Sequence, residues 1–197
     1  MPRLIAVSLL LLAACHASEQ TTSDTGAATN TTAATATTVT SPAGEVATPP
    51  PATITPGDRN FAETAARMGM AEVQLATNVS NRAQTQEVRS FAQRMITDHN
   101  RSNQELTTLA AQKGIDPPAD LDPKHKELDT KLAALAGPEL DRVYMQAMVE
   151  DHAAAMTAFQ SAAAGAADPD LKAWAAKTLP VLQEHHHMAQ QILGTIR

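Results

Sequence analysis

Four long segments of the chain repeat apolar residues at alternating spacings of three and four, and no segment alternates as a half-buried strand does. Such spacing places the apolar residues on one face of an α-helix. The four stripes are Phe61, Ala65, Met68, Glu72, Leu75, Val79; Val88, Ala92, Met95, His99, Ser102, Leu106, Leu109; Met145, Met148, Val149, His152, Met156, Phe159; and Leu171, Ala175, Thr178, Leu182, His185, Ala189, Ile192. Aromatic residues are scarce (3%), so Ala, Leu and Met supply the core, which favours an all-α domain.

Helix boundaries follow from capping residues, glycine and proline. Asp58 is the predicted N-cap of the first helix, and the second is predicted from about Thr85 to Lys113, ended by Gly114. Proline at a first helical position marks three later starts, namely Asp122-Pro123, Gly137-Pro138 and Asp168-Pro169. The first of these opens a short helix to about Leu135, inside a long link between the second and third long helices. One long crossover of this kind predicts a ferritin-like four-helix bundle in which those two helices run parallel.

The N-terminal part is predicted to be an export signal followed by a tether. Residues 1–14 contain one basic residue, Arg3, and an apolar stretch too short to span a bilayer. Residues 15–57 are rich in Thr, Ala and Pro with few large apolar side chains, so burial cannot offset their ordering entropy. The folded domain is therefore expected over residues 58–197.

Cys15 is the only cysteine, and it follows Leu12-Ala13-Ala14 directly. This arrangement resembles a bacterial lipobox, in which the leader is removed and the cysteine is lipidated. The resemblance implies a membrane anchor through lipid and a periplasmic location, with the outer membrane favoured because His16 stands where inner-membrane retention signals usually have Asp. The alternative is an ordinary signal peptide with an incidental cysteine.

The net charge of −6 argues against two classes of partner. Nucleic-acid backbones and anionic membrane surfaces both recruit basic patches, and no such patch is visible in the sequence. Protein partners are not indicated by any motif.

A nine-residue pattern occurs twice. Phe91 to His99 and Tyr144 to His152 share an aromatic residue, Gln, Met, an aliphatic residue and a final Asp-His. Two related helices that each end an apolar run with Asp-His suggest one site built from both.

Each long stripe also contains one ionisable residue, and the four are Glu72, His99, His152 and His185. An isolated charge in a bundle core costs several kcal/mol unless it is paired or bound. The four residues are therefore predicted to converge, either on a transition metal such as Fe, Zn, Mn or Cu or on one another as a buried polar network.

Neighbouring carboxylates and histidines have lesser predicted roles. Asp98, Asp151 and Glu184 each precede a stripe histidine and point about 100° away around the helix. They are predicted to be additional ligands or partners of the ring N–H groups, and the latter role is favoured for Asp98 and Asp151. His125, in the crossover, is expected on the surface.

The segments Gly69 to Val73, Phe91 to His99, Tyr144 to His152 and Leu179-Pro180 with His185 resemble the DUF4142 family of bacterial exported proteins. The resemblance spans roughly Asp58 to Ile192 and implies a ferritin-like bundle, but no settled activity. The core site of di-iron ferritins contains more carboxylates than the core-facing stripes of this chain supply. This difference disfavours ferroxidase chemistry.

Three functions remain open at this stage. The favoured one is a lipid-anchored periplasmic domain that binds a transition metal for metal handling or envelope stress protection. The alternative is a non-catalytic structural or interaction module whose His/Glu network only stabilises the bundle. A metal-dependent enzyme is the least favoured, because no substrate path is visible in the sequence.

Overall fold

The computed structural model describes residues 53–196, and within them the fold is all-helical. The five helices are α1 (Pro56–Ser80), α2 (Gln86–Gln112), α3 (Pro123–Ala134), α4 (Gly137–Gly165) and α5 (Pro169–Thr195). The four long helices form the bundle and α3 lies within the crossover, as the sequence predicted. The signal segment, Cys15 and nearly all of the tether lie outside the described residues.

Helix starts follow the predicted capping chemistry with two corrections. Helix α4 begins at Gly137, so Pro138 stands at the second helical position and not the first. Thr55, not Asp58, is the N-cap of α1, and Asp58 occupies the third helical position, where it completes a capping box with Thr55. Asp122 and Asp168 cap α3 and α5 ahead of their prolines. Gly114 has a φ of 62° and stands directly after the C-cap of α2, which is the glycine stop that the sequence indicated.

The long helices form two antiparallel hairpins, α1 with α2 and α4 with α5, which pack through α1 against α4 and α2 against α5. At one end of the bundle the backbone N–H of Ala167, after α4, donates to Asp58 at the start of α1. Lys113, after α2, pairs there with Asp168 before α5. The helix pairs that join the two hairpins, α1 with α4 and α2 with α5, are therefore antiparallel. It follows that α2 and α4 run parallel.

Helix α3 secures the crossover along α1. Asn78 donates to the backbone and side chain of Asp129, and Arg82 donates to the carbonyl oxygens of Leu132 and Leu135. These contacts carry the chain from the end of α2 back to the start of α4. Because the crossover spans the bundle in this way, the two Asp-His motifs can lie at one level.

The apolar core is divided into two clusters by a polar layer. One cluster contains Leu75, Met95, Met148 and Ala189, and the other contains Ala65, Leu106, Ala155 and Leu182. Glu72, His99, His152 and His185 each fall, along their own helices, between a residue of the first cluster and one of the second. The four stripe residues thus form the middle layer of the bundle. None of the helices in the described part is long and apolar enough to cross a membrane.

Asp141 joins the two hairpins at the other end of the bundle. It is fully buried on α4, and its carboxylate accepts hydrogen bonds from the backbone N–H groups of Gln84 and Thr85 and from the Thr85 hydroxyl, all at 2.8 Å. The start of α4 is therefore held against the start of α2.

We predict that Asp141→Ala lowers the free energy of unfolding by roughly 3 kcal/mol, because it leaves two backbone donors without an acceptor. Urea denaturation followed by circular dichroism measures the change. Glu139→Ala, an exposed carboxylate in the same turn of α4, is the matched control and should change stability by less than about 0.5 kcal/mol. Equal effects of the two substitutions would contradict the anchoring role of Asp141.

Candidate metal site

Three histidines from three helices meet in the polar layer. His99 of α2, His152 of α4 and His185 of α5 are all buried, and each offers a ring nitrogen within 4.8 Å of those of the other two. The ring centroids are 5.4 to 5.7 Å apart. Glu72 of α1 joins them from the fourth helix, with its Oε1 3.6 Å from His152 Nδ1. All four predicted stripe residues are therefore brought together.

Hydrogen bonds fix the tautomers of two of these rings. His152 Nδ1 lies 2.9 Å from the Met148 carbonyl oxygen, which can only accept, so this nitrogen carries the proton. His185 Nε2 lies 3.1 Å from Asp98 Oδ2. Burial alone would raise the pKa of Asp98, but hydrogen bonds from His185 and Arg94 lower it, so the carboxylate is ionised and His185 Nε2 donates. The lone pairs therefore remain on His152 Nε2 and His185 Nδ1.

Those two nitrogens, and the Nε2 atom of His99, have no partner in the protein. His99 Nε2, His152 Nε2 and His185 Nδ1 are all buried without a hydrogen bond, and so is Glu72 Oε2. Buried polar groups are normally satisfied, and leaving one unsatisfied costs about 1–3 kcal/mol. A concentration of four such atoms in one layer indicates that a further group belongs between them.

Burial favours the neutral form of all four groups. Burial, with a smaller contribution from the neighbouring imidazoles, lowers the pKa of His99 to about 3 and that of His152 to about 4. The pKa of His185 is lowered by burial as well. Burial and the nearby Asp151 raise the pKa of Glu72 well above its usual value. Histidine binds metals as the neutral imidazole, so burial favours the form of these rings that metal binding requires.

Tyr144, the aromatic residue that begins the second repeated motif, lies beside this layer and was not among the predicted site residues. Its hydroxyl is buried and has no hydrogen-bond partner. Burial raises its pKa, and the Glu72 carboxylate raises it further, which places the phenol within the electrostatic reach of the site. One signal in the sequence could have indicated it: the second motif begins with Tyr144, which has a hydroxyl, where the first begins with Phe91, which has none.

The three carboxylates before the histidines have different positions. Only Asp98 contacts one of the rings. Glu184 pairs with Arg94 at 2.8 Å and is 54% exposed, so it lies outside the cluster. Asp151, expected to support the ring N–H group of a stripe histidine, has no hydrogen bond to the three clustered rings and pairs with Lys124 of α3 at 2.6 Å.

His125 is a correction to the sequence analysis, which placed it on the surface. It is buried, with Nδ1 2.5 Å from Asp122 and Nε2 3.5 Å from Asp151. Asp151 and then Asp122 raise the pKa of His125. The capping residue of α3 and the second Asp of the repeated motif therefore hold this histidine between them, because the short helix packs its first turn against α4. Of the two other consecutive histidines, His187 is exposed and His186 half-buried.

The donor set fits a first-row transition metal. Imidazole nitrogens suit Zn, Cu and Fe, and a carboxylate oxygen adds a donor that Mn also accepts. In a tetrahedral site with metal–nitrogen bonds of about 2.0–2.1 Å, the nitrogens would lie about 3.4 Å apart. The observed separations of up to 4.8 Å require only that the rings move slightly inward.

Comparison with known proteins gives a family and a fold. The family described as "Domain of unknown function (DUF4142)" matches residues 41–192. A DUF305 fragment from Deinococcus radiodurans is similar in structure, with a TM-score of 0.65 and 19% identity over 74% of this chain and 99% of that chain. A DUF305 protein from Streptomyces coelicolor, described as secreted, gives 0.61 and 15% over 70% and 90%. No curated protein matches the chain significantly. These structural likenesses concern the helical-bundle fold alone.

We predict that the metal-free protein loses stability as the pH falls from 6.5 to 4.5. A histidine in the unfolded chain titrates near pH 6.5, whereas folded His99 and His152 stay neutral to about pH 3 and 4. The unfolded state therefore binds more protons, which costs roughly 1 kcal/mol per pH unit for each histidine. Glu72 acts in the opposite direction above pH 4.5, because its pKa is raised on folding. The net loss should be on the order of 1–2 kcal/mol per pH unit.

Urea unfolding at pH 4.5, 5.5 and 6.5 measures this slope. The raised pKa of His125 acts above this window and does not obscure it. A free energy of unfolding that stays constant or increases on acidification would show that the buried histidines are not held neutral.

Proposed function

This chain belongs to the DUF4142 family, and we propose that its bundle binds one transition-metal ion through His99, His152 and His185. Glu72 contributes a fourth donor or accepts a hydrogen bond from a metal-bound water. The site then serves metal handling or protection of the cell envelope against metal stress. Turnover of a substrate is not part of the proposal.

The observation that carries the proposal is the set of unpartnered nitrogens. If the four residues only satisfied one another, as in the alternative of a stabilising polar network, their lone pairs would be matched by donors. Instead, His152 and His185 direct their ring N–H groups away from the cluster. All three rings keep one buried nitrogen without a hydrogen-bond partner. A metal ion satisfies three lone pairs at once, which no arrangement of neutral imidazoles can do.

The surroundings favour a bound cation in two further ways. Asp98 accepts from the His185 ring N–H and the Met148 carbonyl accepts from His152, and such contacts orient ligand rings and raise their basicity. Burial raises the pKa of Glu72, and the nearby Lys124 offsets only part of this rise. A metal would favour the ionised carboxylate. The identity of the metal among Fe, Zn, Mn and Cu follows from availability as well as from these ligands.

A lipid-anchored periplasmic location is part of the same proposal. Its support is the apolar leader that ends directly before Cys15 and the Thr/Pro-rich stretch that separates it from the bundle. The DUF305 neighbour described as secreted is consistent with export. More than one acyl chain is needed for stable anchoring, which lipoprotein modification would supply.

We predict that the full chain, purified without a His tag and reconstituted, binds about one equivalent of a transition metal. His99→Ala removes a ligand and should weaken binding on the order of 100-fold or more, since even the loss of a residue that orients a ligand costs 10- to 100-fold. Elemental analysis after dialysis and competition with a chromophoric chelator measure the stoichiometry and affinity.

His187→Ala is the matched control, because it removes an exposed histidine from the same bundle. It should leave stoichiometry and affinity unchanged. If no metal binds on reconstitution, and His99→Ala changes only stability, the polar-network alternative is correct.

We also predict that Cys15→Ser prevents lipidation and releases the protein from the membrane fraction. Labelling of the producing cells with a palmitate analogue, followed by fractionation, measures both effects. Ser18→Ala, three residues beyond in the same stretch, is the control and should remain labelled and membrane-bound. Labelling of the Cys15→Ser variant would contradict the proposed anchor.

A further inference from the structure

A small cavity adjoins the histidine cluster. Glu72, His99 and His185 line it, whereas His152 does not. Its volume is about 30 Å³, which is room for about two water molecules. The cluster therefore has one packed side and one side that faces open space.

The polar lining of this cavity is incompletely satisfied. Glu72 Oε2, His99 Nε2, His185 Nδ1 and the indole nitrogen of Trp174 are all buried without a hydrogen bond, and all four residues line the cavity. The rest of the wall combines apolar side chains, among them Met68, Phe159 and Leu182, with the polar residues Asp98, Ser102, Asn103 and Thr178. The histidines, Glu72 and the indole N–H thus leave unsatisfied polar atoms around a space whose other walls are partly polar and partly apolar.

The cavity has an approach from the surface between α2 and α5. A second hollow of about 70 Å³ on that face shares four lining residues with it, namely Asp98, Ser102, Thr178 and Val181. Val181 is the exposed large apolar residue of the described chain, at 37%.

The charges at this approach are balanced. Asp98 and Glu105 are offset by Arg101 and Lys177, which also line the outer hollow. The approach therefore does not favour one sign of charge, and size is the main restriction on what enters.

We propose that the bound metal keeps one coordination position open toward this cavity, and that a small oxygen- or nitrogen-donor ligand of two or three non-hydrogen atoms enters between α2 and α5 to occupy it. This inference rests on the proposed metal site, in the form in which the three histidines are the protein ligands and Glu72 accepts a hydrogen bond from a metal-bound water. It goes beyond it because purely structural metal sites are closed by four protein ligands, whereas sites that act on small molecules keep a position open. The indole N–H of Trp174, which has no partner in the protein, is one donor available to the far end of the ligand.

The test uses the full chain loaded with Co(II), whose visible absorption reports its coordination, and azide as the probe ligand. Titration with azide should change the spectrum saturably in the unmodified protein. Ala65→Val fills part of the cavity wall and should weaken azide binding at least tenfold at unchanged Co(II) content. Ala62→Val, a buried position one turn earlier on α1 that does not line the cavity, is the matched control.

The route is tested by the rate of the spectral change after rapid mixing. Val181→Trp covers the approach and should slow azide association at least tenfold. Gln183→Trp places the same side chain at an exposed position of α5 outside both hollows and should not slow it. If Val181→Trp has no effect on the rate, the route is overturned.

The outcomes separate the inference from the metal site itself. A protein that binds one equivalent of Co(II) but shows no response to azide overturns the open position and leaves the metal site intact. A protein that binds no metal overturns both. A response to azide that Ala65→Val abolishes while Co(II) remains bound supports the inference.

Discussion

The rest of the structure depends on one constraint, namely that a layer of four polar side chains must be accommodated in the middle of an apolar bundle. Burial lowers the pKa of the three histidines and raises that of Glu72, because a charge in this layer would lose its hydration. The layer separates the core into two apolar clusters. Those clusters provide the burial that offsets its cost.

Topology determines where the polar residues meet. The crossover spans the bundle, so α2 and α4 run parallel and present their Asp-His motifs at the same level. Asp141 holds the starts of these two helices together at one end. With α2 and α4 fixed in this register, the antiparallel partners α1 and α5 bring Glu72 and His185 to the layer.

The two halves of the repeated motif differ in what their aspartates do. Asp98 orients the ring of His185 on a neighbouring helix, and Arg94 and Arg101 hold it there. Asp151 faces α3 and binds Lys124 and His125, so it fastens the crossover to the outside of α4. Identical residues at identical helical positions acquire different roles because α2 packs against α5, whereas α4 also packs against α3.

The sequence by itself determined the helices, their order and the long crossover, because helical periodicity, capping residues and prolines act over a few neighbouring residues. It also determined which four residues lie on the core face of the long helices. Only the tertiary structure decided which atoms meet: that three histidines form the cluster with Glu72 at its edge, that Glu184 lies outside it, and that His125 is buried. The spacing of residues along a helix predicts the face on which a side chain lies. The partner that the side chain contacts depends on which other helix packs against that face and on the level at which the two helices meet.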